Sequence, residues 1–446
     1  MNDRQTSRTI ALRVLVASEK GKWADSCLKR ELKRNPLDKR EAALCTRLCY
    51  GVLQNRRLLD FWLAPHSKIP LAKLEDKVRN ILRMGAYQAL MLDRIPGYAG
   101  VSSCVDLTRA ISGDRASGFV NAVLRALLRS PRLLPVGAAC ERLSVLYSLP
   151  EWQVEEYLSL LGEQETEELL RTQNDTPPLW VQVNPLRCTA EGLRDALAAE
   201  GVKTQPHPWL QDCVNLDAPG DIDELDAFRK GMFLVADPAA RLAVMAADPR
   251  PGMAVLDACA APGGKAFLAA FAMGNKGEVK ALDIHPHKLT LLRRGCERLG
   301  LSIVRPALRD ASVFDPALEN SADLVLADLP CSGMGILRKK PDIRNKTQLE
   351  VADLPALQLR LLTNLARYVR PGGVLLYITC SLRRAENEDV ADAFQLARGD
   401  FSPLPFPLPE PVGGAPHGRI TLWPHRHGTD GFFLAKFRRD LEGLKT

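Results

Sequence analysis

No run of apolar residues in this 446-residue chain approaches the length that crosses a membrane, so no transmembrane helix is expected. The opening Met1-Asn2-Asp3-Arg4-Gln5 has no apolar leader core, so nothing in it directs export. The 11 cysteines are odd in number and scattered through apolar stretches. That argues against a disulfide framework and for free thiols in a reducing, cytoplasmic setting. No cysteine and histidine set has zinc-ligand spacing. Cys45 and Cys49 stand one helical turn apart without a second pair and read as core residues, so no metal is expected.

What is present describes a globular protein, with 46% hydrophobic and 25% charged residues. The length favours two or three domains. The charge is uneven. Residues 1–130 hold 24 Lys+Arg against 12 Asp+Glu, residues 131–250 hold 10 against 20, and residues 251–446 hold 26 against 21. A basic N-terminal segment points to a polyanionic partner, namely nucleic acid. The acidic middle is a poor phosphate-binding face.

Apolar positions recur at three- and four-residue spacing in 9–18, 41–53 and 78–92, separated by Asn35-Pro36, Pro65, Pro70 and Pro96-Gly97. Residues 1–135 are therefore expected to form an all-helical bundle. Its last helix places Arg125 and Arg129 one turn apart. Residues 130–140 have linker chemistry. Residues 140–235 read as a small α+β module, with helical patterns at 150–161, 163–172 and 190–200 and a strand at 179–183. From 236 to 442 strands and helices alternate, with strands at 254–258, 278–284, 303–308, 322–328 and 373–379. Alternation of this kind gives a mostly parallel doubly wound sheet, an α/β Rossmann-like domain. Segments 419–423 and 431–437 are expected as an antiparallel pair at its edge.

Such a sheet binds ligands beyond the carboxyl ends of its strands. The first strand ends at Asp257 and opens into Ala258-Cys259-Ala260-Ala261-Pro262-Gly263-Gly264-Lys265 ahead of an apolar helix. The glycines let the backbone approach a ligand closely, and the helix start offers free N–H groups. Lys265 is followed by Ala266, so the loop lacks a Walker ending; it also does not fit Gly-x-Gly-x-x-Gly, which disfavours a dinucleotide. The second strand ends at Asp283, placed to accept ribose hydroxyls, and the third at Arg309-Asp310-Ala311, where a carboxylate meets an adenine amino group. Three acids at successive strand ends favour a nucleoside cofactor.

The fourth strand ends in Asp328-Leu329-Pro330-Cys331-Ser332-Gly333 and the fifth in Thr379-Cys380-Ser381. Two cysteines on adjacent strand ends beside a cofactor suit methylation at carbon 5 of a pyrimidine. That carbon becomes nucleophilic only after a thiolate adds at carbon 6, and the base must leave its stack to be reached. Spacing alone leaves open which thiol attacks.

The stretches 257–265, 328–333 and 377–381, followed by Glu386-Asn387-Glu388, resemble the motifs of the RNA 5-methylcytosine methyltransferases, the NOL/NOP/Sun family. The segments 82–88, Asp93-Arg94-Ile95-Pro96 and 119–125 resemble a NusB-like RNA-binding domain. Val183-Asn184 and 231–237 look like the family's middle region, and Pro424 with 430–435 like its closing motif. This arrangement is similar to that of bacterial members acting on small-subunit rRNA. The resemblance implies that Cys380 is the nucleophile, that Cys331 assists release, that Asp328 holds the cytosine edge, and that Pro330 shapes the pocket. It implies S-adenosyl-L-methionine as cofactor, held by Asp257, the 259–265 loop, Asp283, Asp310 and Asp328. It further implies RNA as partner, with DNA and membrane excluded and a monomer expected. A tRNA substrate and a non-catalytic binding role are the alternatives. Lys288, Gly295 and Ala236 depart from the usual pattern. The basic residues Arg338, Lys339, Lys340 and Arg344 are expected to clamp the RNA backbone.

Overall fold

The computed structural model describes residues 6–92 and 96–441. Asp93, Arg94 and Ile95 of the NusB-like motif, and residue 442 of the expected catalytic domain, lie outside the described residues. The chain divides into two compact units, one formed by Met1–Asp175 with Leu337–Thr347, the other by Thr176–Ile336 with Gln348–Thr446.

The first unit is helical: α1 (Ser7–Glu19), α2 (Ala24–Arg34), α3 (Lys39–Gln54), α4 (Arg56–Leu63), α5 (Asp76–Met91), α6 (Gly97–Arg129), α7 (Ala139–Leu146) and α8 (Glu151–Asn174). Two of these helices, α1 and α3, start where a short polar side chain, Thr6 or Asp38, satisfies free N–H groups. Asp38, for example, accepts from the backbone of Arg40 and Glu41 at 2.9 Å each. Ile10, Leu15, Leu48, Leu82 and Leu124 share one buried core. Arg83 is buried and binds both oxygens of Asp60 at 2.7 Å and Glu19 at 2.6 Å, joining α5 to α4 and α1. Gly162, at φ 75°, breaks α8 between the two helical segments read from the sequence.

Leu337–Thr347 packs into this unit as a strap. Asp342 accepts from Ser18 Oγ at 2.6 Å and from the Ala24 N–H that opens α2. Arg344 is 2% exposed and donates to the carbonyls of Tyr147 and Gln173 at 2.6 and 2.7 Å. The expectation that all four basic residues of this run grip RNA therefore fails for Arg344, whose guanidinium is occupied inside the fold. Lys340 is exposed, with its ammonium 5.9 Å from the Trp23 ring.

The second unit begins with an antiparallel sheet built from β1 (Leu179–Val183), β2 (Lys203–Pro206), β3 (Cys213–Asp217) and β4 (Phe233–Val235), in the order β2-β3-β1-β4, with α9 (Ala190–Ala199) and α10 (Asp226–Arg229). Then follow α11 (Pro238–Ala247), β5 (Ala254–Asp257), α12 (Gly264–Ala272), β6 (Glu278–Asp283), α13 (Pro286–Leu299), β7 (Val304–Leu308), β8 (Ala322–Asp328), α14 (Gln348–Val351), α15 (Leu354–Ala366), β9 (Val369–Thr379), α16 (Glu388–Ala397) and β10 (Phe401–Pro403). The short ladder of β11 (Phe406–Pro407) and β12 (Gly414–Ala415) precedes β13 (Arg419–Leu422), α17 (Pro424–His427) and β14 (Phe432–Arg439).

The main sheet runs β10-β14-β9-β8-β5-β6-β7, parallel from β9 to β7. Strand residues alternate between two cores, as a two-residue period demands. Val255, Leu324, Leu326, Leu376 and Ile378 face α11–α13 on one side. Leu256, Val325, Ala327, Leu375 and Tyr377 face α15 and α16 on the other. The expected antiparallel pair β13–β14 forms. Strand β14 also pairs with β9 along 433–438, and its outer edge is shared by β13 and β10, so it lies inside the sheet. The chain passes from β5 to β6 and β7 on one side, then returns to β8 on the other. The carboxyl ends of β5 and β8 therefore flank the switch point where such sheets bind ligands.

Candidate active site

The loop after β5 is held through its backbone N–H groups, two bonding to β6 and one to the loop itself. Ala260 N–H donates to Leu282 O at 2.8 Å, Gly263 N–H to Ala260 O at 2.7 Å, and Ala261 N–H to Asp283 Oδ2 at 3.3 Å. Gly263 takes φ 118°, and a Cβ there would overlap the Phe267 ring. Gly295, one of the departures from the family pattern, has the same neighbour: any side chain at 295 would displace Phe267 from beneath the loop.

Asp257, at the end of β5, is buried, and its Oδ1 has no hydrogen-bond partner. Burial, then the Asp328 charge, push its carboxyl up to about 7, against the pull of Lys265. Cys259 is pushed up to about 12 by burial and the three neighbouring carboxylates, which makes it a neutral thiol. Asp283 ends β6 with Oδ1 accepting from His285 N–H at 2.9 Å. Asp310 follows β7 in an exposed turn, where the hydroxyl and N–H of Ser312 hold its carboxyl below the usual range. Beside it lies a cavity of about 460 Å³ lined by Ile284, Leu308, Val313 and Phe314. Ile284 and Val313 are 54% and 62% exposed. Bare apolar side chains beside a carboxylate suit a flat heterocycle with an amino edge. A buried acid with one unpartnered oxygen suits a cationic ligand group. These residues fit an adenosine-bearing, positively charged cofactor.

The other half of the site lies at the ends of β8 and β9. Lys265 Nζ meets Asp328 Oδ2 at 2.7 Å and stands 4.9 Å from the Phe432 ring. Burial opposes the ammonium, but Asp328 outweighs it and raises the Lys265 midpoint; negative charge at Cys380 adds to this. Cys331 Sγ and Cys380 Sγ are 3.2 Å apart. The hydrogen bond to Cys380, then burial and the Cys380 and Glu386 charges, hold the Cys331 thiol well above its usual range. Two backbone bonds lock the turns together: Gly335 N–H donates to Cys380 O at 2.9 Å, and Gly431 N–H to Gly335 O at 2.8 Å. A Cβ on Gly335 would overlap the Gly431 backbone.

The structure thus brings Asp328, Cys331, Cys380 and Lys265 together. Asp257 and Asp283 line the loop, while Asp310 sits beside the apolar cavity. Sequence reasoning gave no role to Ser332, Gln358, Ser381 and Glu386, which form a buried polar network beneath both cysteines. Their signals were the stretches 328–333 and 377–381, which contain the two serines, and the run Glu386-Asn387-Glu388; Gln358 had none.

Comparison with known proteins follows the same division. Residues 244–438 match the family described as 16S rRNA methyltransferase RsmB/F, residues 5–129 match the NusB family, and residues 149–223 match the ferredoxin-like domain of RsmF/B-like methyltransferases. A probable ribosomal RNA small subunit methyltransferase B of Bacillus subtilis is 36% identical over 97% of this chain and 98% of its own length. Its counterpart from Synechocystis is 32% identical over 94% of this chain and 95% of its own. The crystal structure of PH0851 superposes with a TM-score of 0.83 at 27% identity, covering 97% of this chain and 98% of that one.

Proposed function

Because the chain belongs to the RsmB/F family of 16S rRNA methyltransferases, we propose that it methylates carbon 5 of a cytosine in small-subunit rRNA. The observation that carries this reading is the 3.2 Å approach of Cys331 to Cys380 beside the Lys265–Asp328 pair.

Asp257, the 259–265 loop, Asp283 and Asp310 would hold S-adenosylmethionine, which when bound supplies an electrophilic methyl group on its sulfonium. Cys380 gives up its proton to solvent and adds its thiolate sulfur to carbon 6 of the flipped-out base. The S–C6 bond forms as the C5–C6 double bond opens, which leaves carbon 5 nucleophilic. Asp328, its carboxylate oriented by Lys265, accepts from the N4 amino group on the edge of the base. Cys331 stays protonated at this stage. Once the Cys380 sulfur is bonded to carbon, the hydrogen bond that leads the causes raising the Cys331 thiol is gone, and Cys331 releases its proton to solvent more readily. After carbon 5 carries its methyl group, the Cys331 thiolate takes the carbon-5 proton, the C5–C6 double bond re-forms, and the S–C6 bond breaks to release Cys380.

Labelled methyl donor, small-subunit rRNA and three proteins test this. Wild type is expected to turn over, Cys331→Ala to accumulate a protein–RNA adduct that survives denaturation, and Cys380→Ala to do neither. An adduct with Cys380→Ala would exchange the two roles, and label in tRNA alone would displace the rRNA assignment.

A further inference from the structure

One buried acid touches both cysteine turns. Glu386 follows β9 and has no exposed surface. Its Oε2 accepts from Ser332 N–H at 2.7 Å and Gln358 Nε2 at 3.1 Å. Its Oε1 accepts from Ser381 Oγ at 3.1 Å and Arg383 Nη1 at 3.3 Å. Ser332 and Ser381 are the residues directly after the two cysteines, and their hydroxyls lie 3.0 Å apart. Gln358 also donates to Pro330 O at 2.9 Å, and the Tyr377 hydroxyl to Glu386 O at 2.5 Å. Four donors converge on two oxygens, an arrangement that only an ionised carboxylate satisfies. A polar network so completely paired in a low-dielectric interior is rigid.

We propose that Glu386 is a positioning residue that fixes the Cys331 and Cys380 turns against each other through the donors it gathers from Ser332, Gln358 and Ser381. This rests on the reading that both thiols serve one methyl transfer. The groups facing Cys331 are Cys380, Glu386 and Tyr377, with Arg383 bound to Glu386 and the Lys265–Asp328 pair near Cys380. Tyr377 is held neutral by burial, so Glu386 is the fixed negative charge that opposes ionisation of Cys331. Glutamine at 386 removes this charge and turns one acceptor into a donor. That amide must then face either Ser332 and Gln358 or Ser381 and Arg383.

The test uses full-length wild type, Glu386→Gln and Glu386→Asp. Alkylation of Cys331 and Cys380 by iodoacetamide is followed against pH by peptide mass spectrometry, beside calorimetry of S-adenosylmethionine and methyl transfer to rRNA. Glu386→Gln should bind cofactor within about twofold of wild type, since Asp257, Asp283 and Asp310 lie outside the network. Its Cys331 profile should move down by about one pH unit. Its kcat should fall about 10- to 100-fold at unchanged KM. Glu386→Asp keeps the charge but is one methylene short; it should hold the Cys331 profile near wild type while kcat still falls. A Glu386→Gln protein with the wild-type alkylation profile would overturn the proposal, as would parallel loss of cofactor binding. If wild type methylates no RNA, the functional reading fails, and the alkylation profiles still decide the role of Glu386.

Discussion

Lys265 Nζ and Asp328 Oδ2 meet at 2.7 Å, joining the loop after β5 to the end of β8. The lysine compensates two acids at once, because it also lowers the carboxyl of buried Asp257. Lys265→Met should therefore raise the midpoint of the acid limb in the pH–rate profile. At pH 7 it should cost about 10- to 100-fold in methyl transfer. An unmoved midpoint would contradict the pairing.

Asp257 carries a sign that stability measurements can read. Its folded midpoint of about 7 lies above the ordinary 3.8, so between about pH 4 and 7 the folded state holds a proton the unfolded chain has lost. The resulting stabilisation is complete below that window and gone above it. Urea midpoints should fall as pH rises from 4 to 7, and Asp257→Asn should flatten that part of the curve.

Arg344 and Lys340 stand four residues apart and should behave in opposite ways. Arg344→Met strips two buried carbonyls of their donor and should destabilise the helical unit by about 2–4 kcal/mol. Thermal unfolding would register the loss. Lys340→Met should leave unfolding unchanged and weaken RNA binding.

Arg298 stacks on the Phe228 ring at 3.7 Å and donates to the carbonyls of Phe228 and Phe233, fastening the α+β module to α13. Lysine retains the charge and loses the planar fork. Arg298→Lys should cost about 1–3 kcal/mol, measured by denaturant titration.

Arg125 and Arg129 are both exposed on α6. If both contact phosphates, reversing them to glutamate should lower the slope of log affinity against log salt by about 2. An identical slope would remove this face of the bundle from RNA binding.

The parts of the site that sequence reveals are those whose chemistry is local. Asp257, Asp283 and Asp328 each end a strand, and Gly263 must adopt a left-handed backbone, so position and residue type suffice. Glu386 escaped because its significance lies in which donors reach it, and Ser332 and Gln358 come from the turn after β8 and from α15, far away in sequence. Arg344 misled for a related reason. A basic run reads as a surface patch until a tertiary fold supplies carbonyls to bury one member. The β13–β14 hairpin was legible from proximity, whereas the pairing of β14 with β9 is a long-range contact that no local pattern records.

The position of β14 has a temporal meaning. This strand is translated after every other strand of the main sheet, yet it pairs with β9, while Gly431, just before it, donates to the carbonyl of Gly335, whose own N–H holds the turn that bears Cys380. A nascent chain that already holds both cysteine turns and Glu386 still lacks this last brace. The central strand that carries one of the two thiols therefore gains its second neighbour only when the final strand of the sheet has been made.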